Sequence, residues 1–386
     1  MLAKIFSPRG KNHQRYVNSY IVTSVFNFSK IRTIPLELIG IIALIIAIGL
    51  VALNSADSSK VLLTRQIISI PFCIIAFLLI VSIHPSFIKR YAYQVYFLGL
   101  ILLVLTCVIG NISLGARRWL NIFGLKIQPS EFMKIGVILA LAKHFSNSSM
   151  RQISSILNTL RPILLGVTPI VLTIIQPDLG TGCIIAMIFV IIMFIAGIEI
   201  WKFVLCGVII LSSSPIIWSK LHDYQKQRII TFISPEADKL SSGYNIIQAK
   251  ITIGSGGIIG NGIGMGNQTK SHFVPESETD FIFTVIAEEM GFIGCITLLM
   301  LYSGLFIYSY HIASITKDFF LKTTSYACIC LLFVHIAMNT GMATGMLPAV
   351  GIPLPLVSYG RSSMLVSTII LGLIVNAFVN RDTNIR

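Results

Sequence analysis

Glu276, Glu278 and Asp280 alternate in the stretch SHFVPESETDFIFTVIAEEMGFIG (Ser271–Gly294), and Glu288 and Glu289 follow two turns into the apolar segment that begins near Phe281. The chain carries 15 acidic residues in 386, and this stretch holds five of them. In an extended segment the three alternating carboxylates would share a face. Such a trio could hold a divalent cation, Mg or Mn. Alternatively, mutual repulsion could raise one carboxylate's pKa to a value suited to a general base near neutrality. The plainer reading is a solvated acidic loop that caps a helix. Carboxylates at the edge of an apolar helix are costly, which favours a use for them. Of Glu288 and Glu289, at most one can face a polar interior directly, so the other must pair or protonate.

Cations are placed to complement these acids. GARRWLNIFGLKIQPSEFMK (Gly115–Lys134) offers Arg117, Arg118 and Lys126, which suit a phosphate or diphosphate. Trp119 beside them suits a sugar face or a membrane interface. The competing reading is anchoring to lipid head groups. Glu131 and Lys134 lie three apart at the start of the next helix, where they can pair. In QPDLGTG (Gln176–Gly182), Asp178 can cap the helix that follows. Farther on, YQKQRII contributes Arg228, and Lys270 closes a run with glycines at 254, 256, 257, 260, 262, 264 and 266. That run could bring backbone N–H groups to a ligand, or it could be a re-entrant or surface loop. It lacks the strand–helix context and the Lys-Ser/Thr ending of a nucleotide-binding motif. Finally, Pro348, Pro353 and Pro355 prevent GMATGMLPAVGIPLPLVSYGRSS (Gly341–Ser363) from being one helix. This segment, with Ser358 near its end, could line a cavity or form a rigid outer turn.

The elements that must position these residues are membrane spans. The composition is 55% hydrophobic and 11% charged, against about 25% charged in soluble domains. Apolar runs of 18 residues or more recur, and their continuity argues for helices over alternating barrel strands. The expected fold is therefore an all-α polytopic membrane protein of about ten transmembrane helices, near 36–54, 64–83, 93–111, 130–145, 161–176, 181–199, 201–218, 281–309, 323–346 and 359–380. Residues 1–35 form a basic cytoplasmic arm whose patch 20–28 could lie on the membrane surface. Residues 36–380 form the transmembrane domain, with a large outer loop at 219–280 between helices 7 and 8. Residues 381–386 form a cytoplasmic tail.

With both termini inside, 16 Lys and Arg fall on inner segments and 12 on outer ones, and six of the latter lie in the long loop. The positive-inside rule discounts loops of that length, so both termini are expected to be cytoplasmic. Loops 111–130, 176–181, 219–280 and 347–358 then share the outer face, where they would form a site open to the exterior. The formal charge of +14 does not imply nucleic acid, because the basic residues flank spans instead of forming one patch, and membrane lipids are the expected partners. The seven cysteines lie in apolar spans without metal-ligand spacing and are expected to be small core hydrophobes. No cleaved signal peptide is expected.

Taken together, FVPESETDFIFTVIAEEMGFIG, GARRWLN…QPSEFMK, QPDLGTG, GYNIIQAKITIGSGG and LPAVGIPLPLVSYG resemble the SEDS family (shape, elongation, division and sporulation), in order, over about residues 36–380. IPLPLVSYG and DFIFTVIAEE are more similar to its elongation members than to its division members. The resemblance implies a glycosyltransferase that polymerises lipid II into peptidoglycan on the outer face of the inner membrane. It also implies a class B penicillin-binding protein, a transpeptidase, as partner. Asp280 matches the essential acidic residue of the family's TDFIF motif. The chain departs from the family pattern at Glu278, often His there, and at Arg361, where SYGGSS reads SYGRSS. The chemistry implied joins a lipid-diphosphate-activated sugar to a sugar hydroxyl in one inverting displacement. Asp280 would act as base, and Arg117, Arg118, Lys126, Arg228 or Lys270 would offset charge on the departing diphosphate. Two other readings compete: a lipid II flippase or other transporter, and a non-catalytic scaffold for a transpeptidase.

Overall fold

The computed structural model describes residues 25–113, 116–122, 125–148, 156–220, 223–234, 242–271, 273–383 and 385. The apolar runs become helices because a lipid-facing backbone can satisfy its N–H and C=O groups only internally. In chain order these are α1 (Leu36–Ala56), α2 (Val61–Ser82), α3 (Pro85–Ile109), α4 (Pro129–Ser146), α5 (Ile156–Ile175), α6 (Leu179–Ile195) and α7 (Ile200–Ser212), then α8 (Ser214–Lys220), α9 (Asp223–Ile233), α10 (Ser242–Ser255), α11 (Asn267–Lys270), α12 (Ile282–Ile315), α13 (Phe319–Ala343) and α14 (Arg361–Val379). Among the described residues, α1, α2, α3, α12, α13 and α14 are long and apolar enough to cross a membrane, and α5, α6 and α7 supply shorter apolar helices. The polytopic helical fold expected from hydropathy is the fold observed.

Three details differ from expectation. The span expected at 201–218 breaks at Ser213 into α7 and α8. Pro215 in the run SSSP removes an N–H there, and the serines compete for the backbone. The stretch expected as a polar loop at 111–130 holds a three-stranded antiparallel sheet, β1 (Asn111–Ser113), β2 (Ala116–Ile122) and β3 (Leu125–Ile127), with Asn111 opposite Trp119 and Asn121 opposite Lys126. The cysteines divide: Cys73, Cys295 and Cys328 are buried, whereas Cys183 and Cys206 are exposed on helix surfaces.

Burial ranks the helices. In their most apolar windows α13 and α14 are 67% and 72% buried, against 28% for each of α1, α2 and α3, and α4 has 14 of its 18 residues buried, so α4, α13 and α14 form the centre. At one end of the bundle the first and last described segments meet. Lys30, in a 3-10 turn (Phe28–Thr33), donates to Asn380, and the Ile385 N–H donates to Asp318 at 3.0 Å. Part of the patch expected on the membrane surface is tied down there: Phe26 bridges Ile83, and the Asn27 N–H donates to the Ser82 carbonyl at 2.9 Å. The motif segments gather at the opposite end.

Candidate active site

Residues 276–281 are a tight turn, not the extended segment in which the three acids would share a face. The Glu276 carbonyl accepts from the N–H groups of Thr279, Asp280 and Phe281 at 3.2, 3.1 and 3.1 Å. The alternating acids therefore do not share a strand face. Glu276 turns its carboxylate onto the Thr279 hydroxyl at 2.9 Å. Among the described residues no group of three or more His, Cys, Asp or Glu side chains could hold a metal ion, so a three-carboxylate cage is not built here. The helix α12 begins at Ile282 with Phe281, one residue after Asp280, at its N-cap. Asp280 is half-buried at the lip of the bundle, facing the turn at Gly351. A Cβ on Gly351 would sit 3.1 Å from Asp280 Oδ2, and Gly351 has φ +71°, where glycine is favoured.

The segment 347–360, with no N–H on its prolines, runs as irregular backbone beside apolar helices. Such backbone must find donors outside itself. Three helices supply them. Asn339 Nδ2 on α13 donates to the Ile352 carbonyl at 2.7 Å and to the Asp280 carbonyl at 2.8 Å. The Tyr302 hydroxyl on α12 donates to the Pro355 carbonyl at 2.6 Å. Gln66 Nε2 on α2 reaches the Ser358 carbonyl at 3.4 Å. Ser358 stitches the two loops together, its hydroxyl donating to the Thr279 carbonyl and accepting from the Leu354 N–H at 2.8 Å. The Tyr359 N–H donates to the Glu278 carbonyl at 2.9 Å.

One layer deeper, Lys134 on α4 is fully buried. Its ammonium donates to Glu131 Oε1 at 2.6 Å and to His335 Nε2 on α13 at 2.9 Å. Among the described residues, Glu131 Oε2 and Asn339 Oδ1 are buried without a hydrogen-bond partner. Each such acceptor costs about 1–3 kcal/mol.

Toward the rim, the Arg118 guanidinium donates to the Pro177 carbonyl at 3.0 Å and approaches Asp178 at 3.7 Å. Asp178 caps α6 through the Thr181 N–H at 3.3 Å and accepts from Gln128 at 3.3 Å, so it joins two loops as well as capping. Arg117 donates to the Cys107 and Val108 carbonyls at 3.2 and 3.5 Å, closing the C-terminus of α3.

The glycine run also has a structural partner. The Asn261 and Gly262 N–H groups donate to the Glu288 and Glu289 carbonyls at 3.0 Å each, and the Gly257 and Ile258 carbonyls accept from Phe292 and Ile293 at 3.0 and 3.1 Å. This exchange occurs where α12 breaks at Gly291 (φ +64°), whose added Cβ would lie 2.4 Å from the Gly260 nitrogen. The glycines thus allow backbone to lie on backbone. Glu288, wholly buried, accepts from the Gln268 N–H, the Thr269 N–H and the Thr269 hydroxyl at 2.8, 3.0 and 2.6 Å.

A family model described as "Cell cycle protein" (FtsW, RodA, SpoVE) matches residues 29–383. The chain belongs to the FtsW/RodA/SpoVE family. This is the SEDS family that the motifs resembled. The chain is 36% identical over 356 residues to the peptidoglycan glycosyltransferase MrdB of Escherichia coli K12, covering 92% of this chain and 95% of that protein. It superposes on a chain from a structure described as a peptidoglycan synthase complex that coordinates polymerization and crosslinking, with TM-score 0.79, 30% identity, and 90% and 98% of the two chains covered. It is also similar to the rod shape determining protein RodA of Thermus thermophilus, with TM-score 0.69, 28% identity, and coverage of 91% and 98%.

Within this FtsW/RodA/SpoVE fold, Asp280, Glu276, Glu278 and Ser358 come together at one lip, with Glu131 and Lys134 at a second, buried cluster linked to it through α13. Lys126 is exposed on β3 and Lys270 is exposed at the end of α11. Arg228 falls in α9, and its side chain lies outside the described residues. Arg117 and Arg118, expected to suit a phosphate, each hold a backbone carbonyl with one guanidinium nitrogen. Arg361 raises no backbone conflict: it is the first residue of α14 and is absent from the positions with positive φ. Sequence reasoning passed over Gln66, Tyr302, His335 and Asn339. Intramembrane polarity was the available signal, since His335 and Asn339 stand one turn apart in an apolar span.

Proposed function

We propose that this chain is a peptidoglycan glycosyltransferase that polymerises lipid II into glycan strands for cell elongation and rod shape, with Asp280 as general base. It would work at the outer face of the plasma membrane beside a class B penicillin-binding protein. Residues 1–35 and 381–386 would lie in the cytoplasm, with 36–380 as the membrane domain and 219–280 as its largest outer segment. The names and fold of the relatives support the activity. The observation that carries the mechanism is the presentation of Asp280, whose backbone is fixed from behind by Asn339 while its side chain faces the Gly351 turn.

A sugar hydroxyl is a poor nucleophile, so its proton must leave as the new bond forms. Asp280 would take it. As the anomeric bond breaks, the electron pair leaves with the lipid diphosphate, and the exposed Lys126 and Lys270 are free enough to follow that charge. A transporter reading is favoured by one observation, the buried Lys134–Glu131–His335 cluster, since intramembrane ions often serve transport.

One experiment separates the readings: purified chain in detergent, where no transport is possible, given lipid II. Glycan strands are expected from the natural sequence and a loss of about 10²–10⁴-fold in rate from Asp280→Asn. Equal rates would remove Asp280 as base, and absence of polymer from well-folded protein with its transpeptidase partner present would remove the glycosyltransferase reading. For orientation, cysteine at the exposed Ser271 should react with an impermeant thiol reagent in intact spheroplasts.

A further inference from the structure

The Lys134 cluster and the Asp280 lip are two sites by position, yet one helix face touches both. His335 and Asn339 stand four apart on α13, so they project on the same side, one turn apart. Both are buried. Asn339 spends both N–H donors on carbonyls of two separate loops, Asp280 and Ile352, while its own oxygen has no partner. An amide held by its two donors alone has one orientation. His335 meets the Lys134 ammonium with Nε2 at 2.9 Å. An ammonium has only donors, so Nε2 accepts. One turn of α13 therefore holds the Ile352 carbonyl, the backbone of Asp280 and the head of Lys134.

We propose that His335 and Asn339 are positioning residues for glycan transfer: this single turn of α13 sets the Asp280 carboxylate and the Lys134 ammonium in register with each other and with the Ile352–Pro353 peptide. The inference rests on Asp280 being the base. Neither side chain is required to touch substrate. What they supply is alignment, and a misplacement of about 1 Å at a reacting group can cost about 100-fold in rate. A side chain that only stabilised the fold would lower the yield or melting temperature of the protein and leave the turnover of the folded fraction alone.

The test uses the full chain, purified, with lipid II as substrate and initial rates over a range of concentrations. Asn339→Asp keeps the shape of the side chain but removes both donors and faces two carbonyls with an acceptor. Monodisperse Asn339→Asp is expected to lose about 100-fold in kcat, with KM within about twofold because uniform binding is untouched. A wild-type kcat in that folded variant, or a loss wholly in KM, overturns the proposal. Should Asn339→Asp fail to fold, His335→Gln and His335→Leu give the same decision. Glutamine can place an acceptor near the Nε2 position that meets Lys134 and leucine cannot, so glutamine is expected to give the higher kcat, whereas equal rates overturn the proposal. Asp280→Asn is measured beside them. If it polymerises like the natural sequence, the base assignment itself fails; if it is inactive while Asn339→Asp turns over normally, this inference alone fails.

Discussion

Asp280 and Glu288 are eight residues apart on either side of the start of α12, and the protein uses them in opposite ways. Glu288 is sealed, with a hydroxyl and two backbone N–H groups on its carboxylate, and it fastens α11 and the glycine run to the helix. Asp280 is fastened through its backbone and keeps its side chain at the lip, next to a glycine with positive φ. Of the acids nearby that first draw the eye, Glu276 meets the Thr279 hydroxyl with its carboxylate, and Glu278 receives the Tyr359 N–H on its backbone carbonyl.

The comparison breaks if the two substitutions act alike. Asp280→Asn should cut polymerisation by about 10²–10⁴-fold while the thermal unfolding temperature of the purified protein stays near that of the natural sequence. Lys134→Met comes next in size. It strands Glu131 in the core, and losing one partner of a buried pair costs about 3–5 kcal/mol, read as a lowered unfolding temperature and poor extraction yield. Adding Glu131→Leu should recover much of that stability without recovering activity, which would divide the role of the pair between folding and function. Glu288→Gln should cost about 1–3 kcal/mol, because one N–H donor would then meet an amide N–H₂, and the folded fraction should retain turnover. If Glu288→Gln instead lost turnover at full stability, the contrast with Asp280 would collapse. Arg117→Ala, which releases two carbonyls at the exposed end of α3, should be the mildest, about 0.5–1.5 kcal/mol, with lipid II kinetics unchanged.

Hydropathy sufficed for most helices, because lipid leaves the backbone few choices, and the proline spacing in IPLPLV sufficed to exclude a helix there. Local pattern was insufficient wherever a partner lay far along the chain. Arg117 and Arg118 read as free cations until the α3 terminus and the Pro177 carbonyl were beside them. The glycine run stayed open between a ligand cradle and a re-entrant or surface loop, because nothing in it announces the broken helix at Gly291, some thirty residues away. The acidic trio read as a shared face because alternation implies a strand, and a turn closed on the Glu276 carbonyl has no such alternation. His335 stood out only as a polar residue in an apolar span, and its partner Lys134, 201 positions upstream, could not be read locally.

That distance has a consequence for biosynthesis. Helices enter the membrane in the order in which they are made, and α4 is complete long before α13 leaves the ribosome. Until then Lys134 has Glu131 for company and nothing else from this cluster, and Gln66 waits 292 residues for the Ser358 carbonyl. The nascent protein therefore passes through a stage in which ionised groups and helix ends at the future site are unsealed, held only by partial neutralisation and by water at the rim. A chain truncated before residue 335 would remain in that condition, which makes it a natural target for membrane quality control, and the last two long helices act as the lock that ends the vulnerable period.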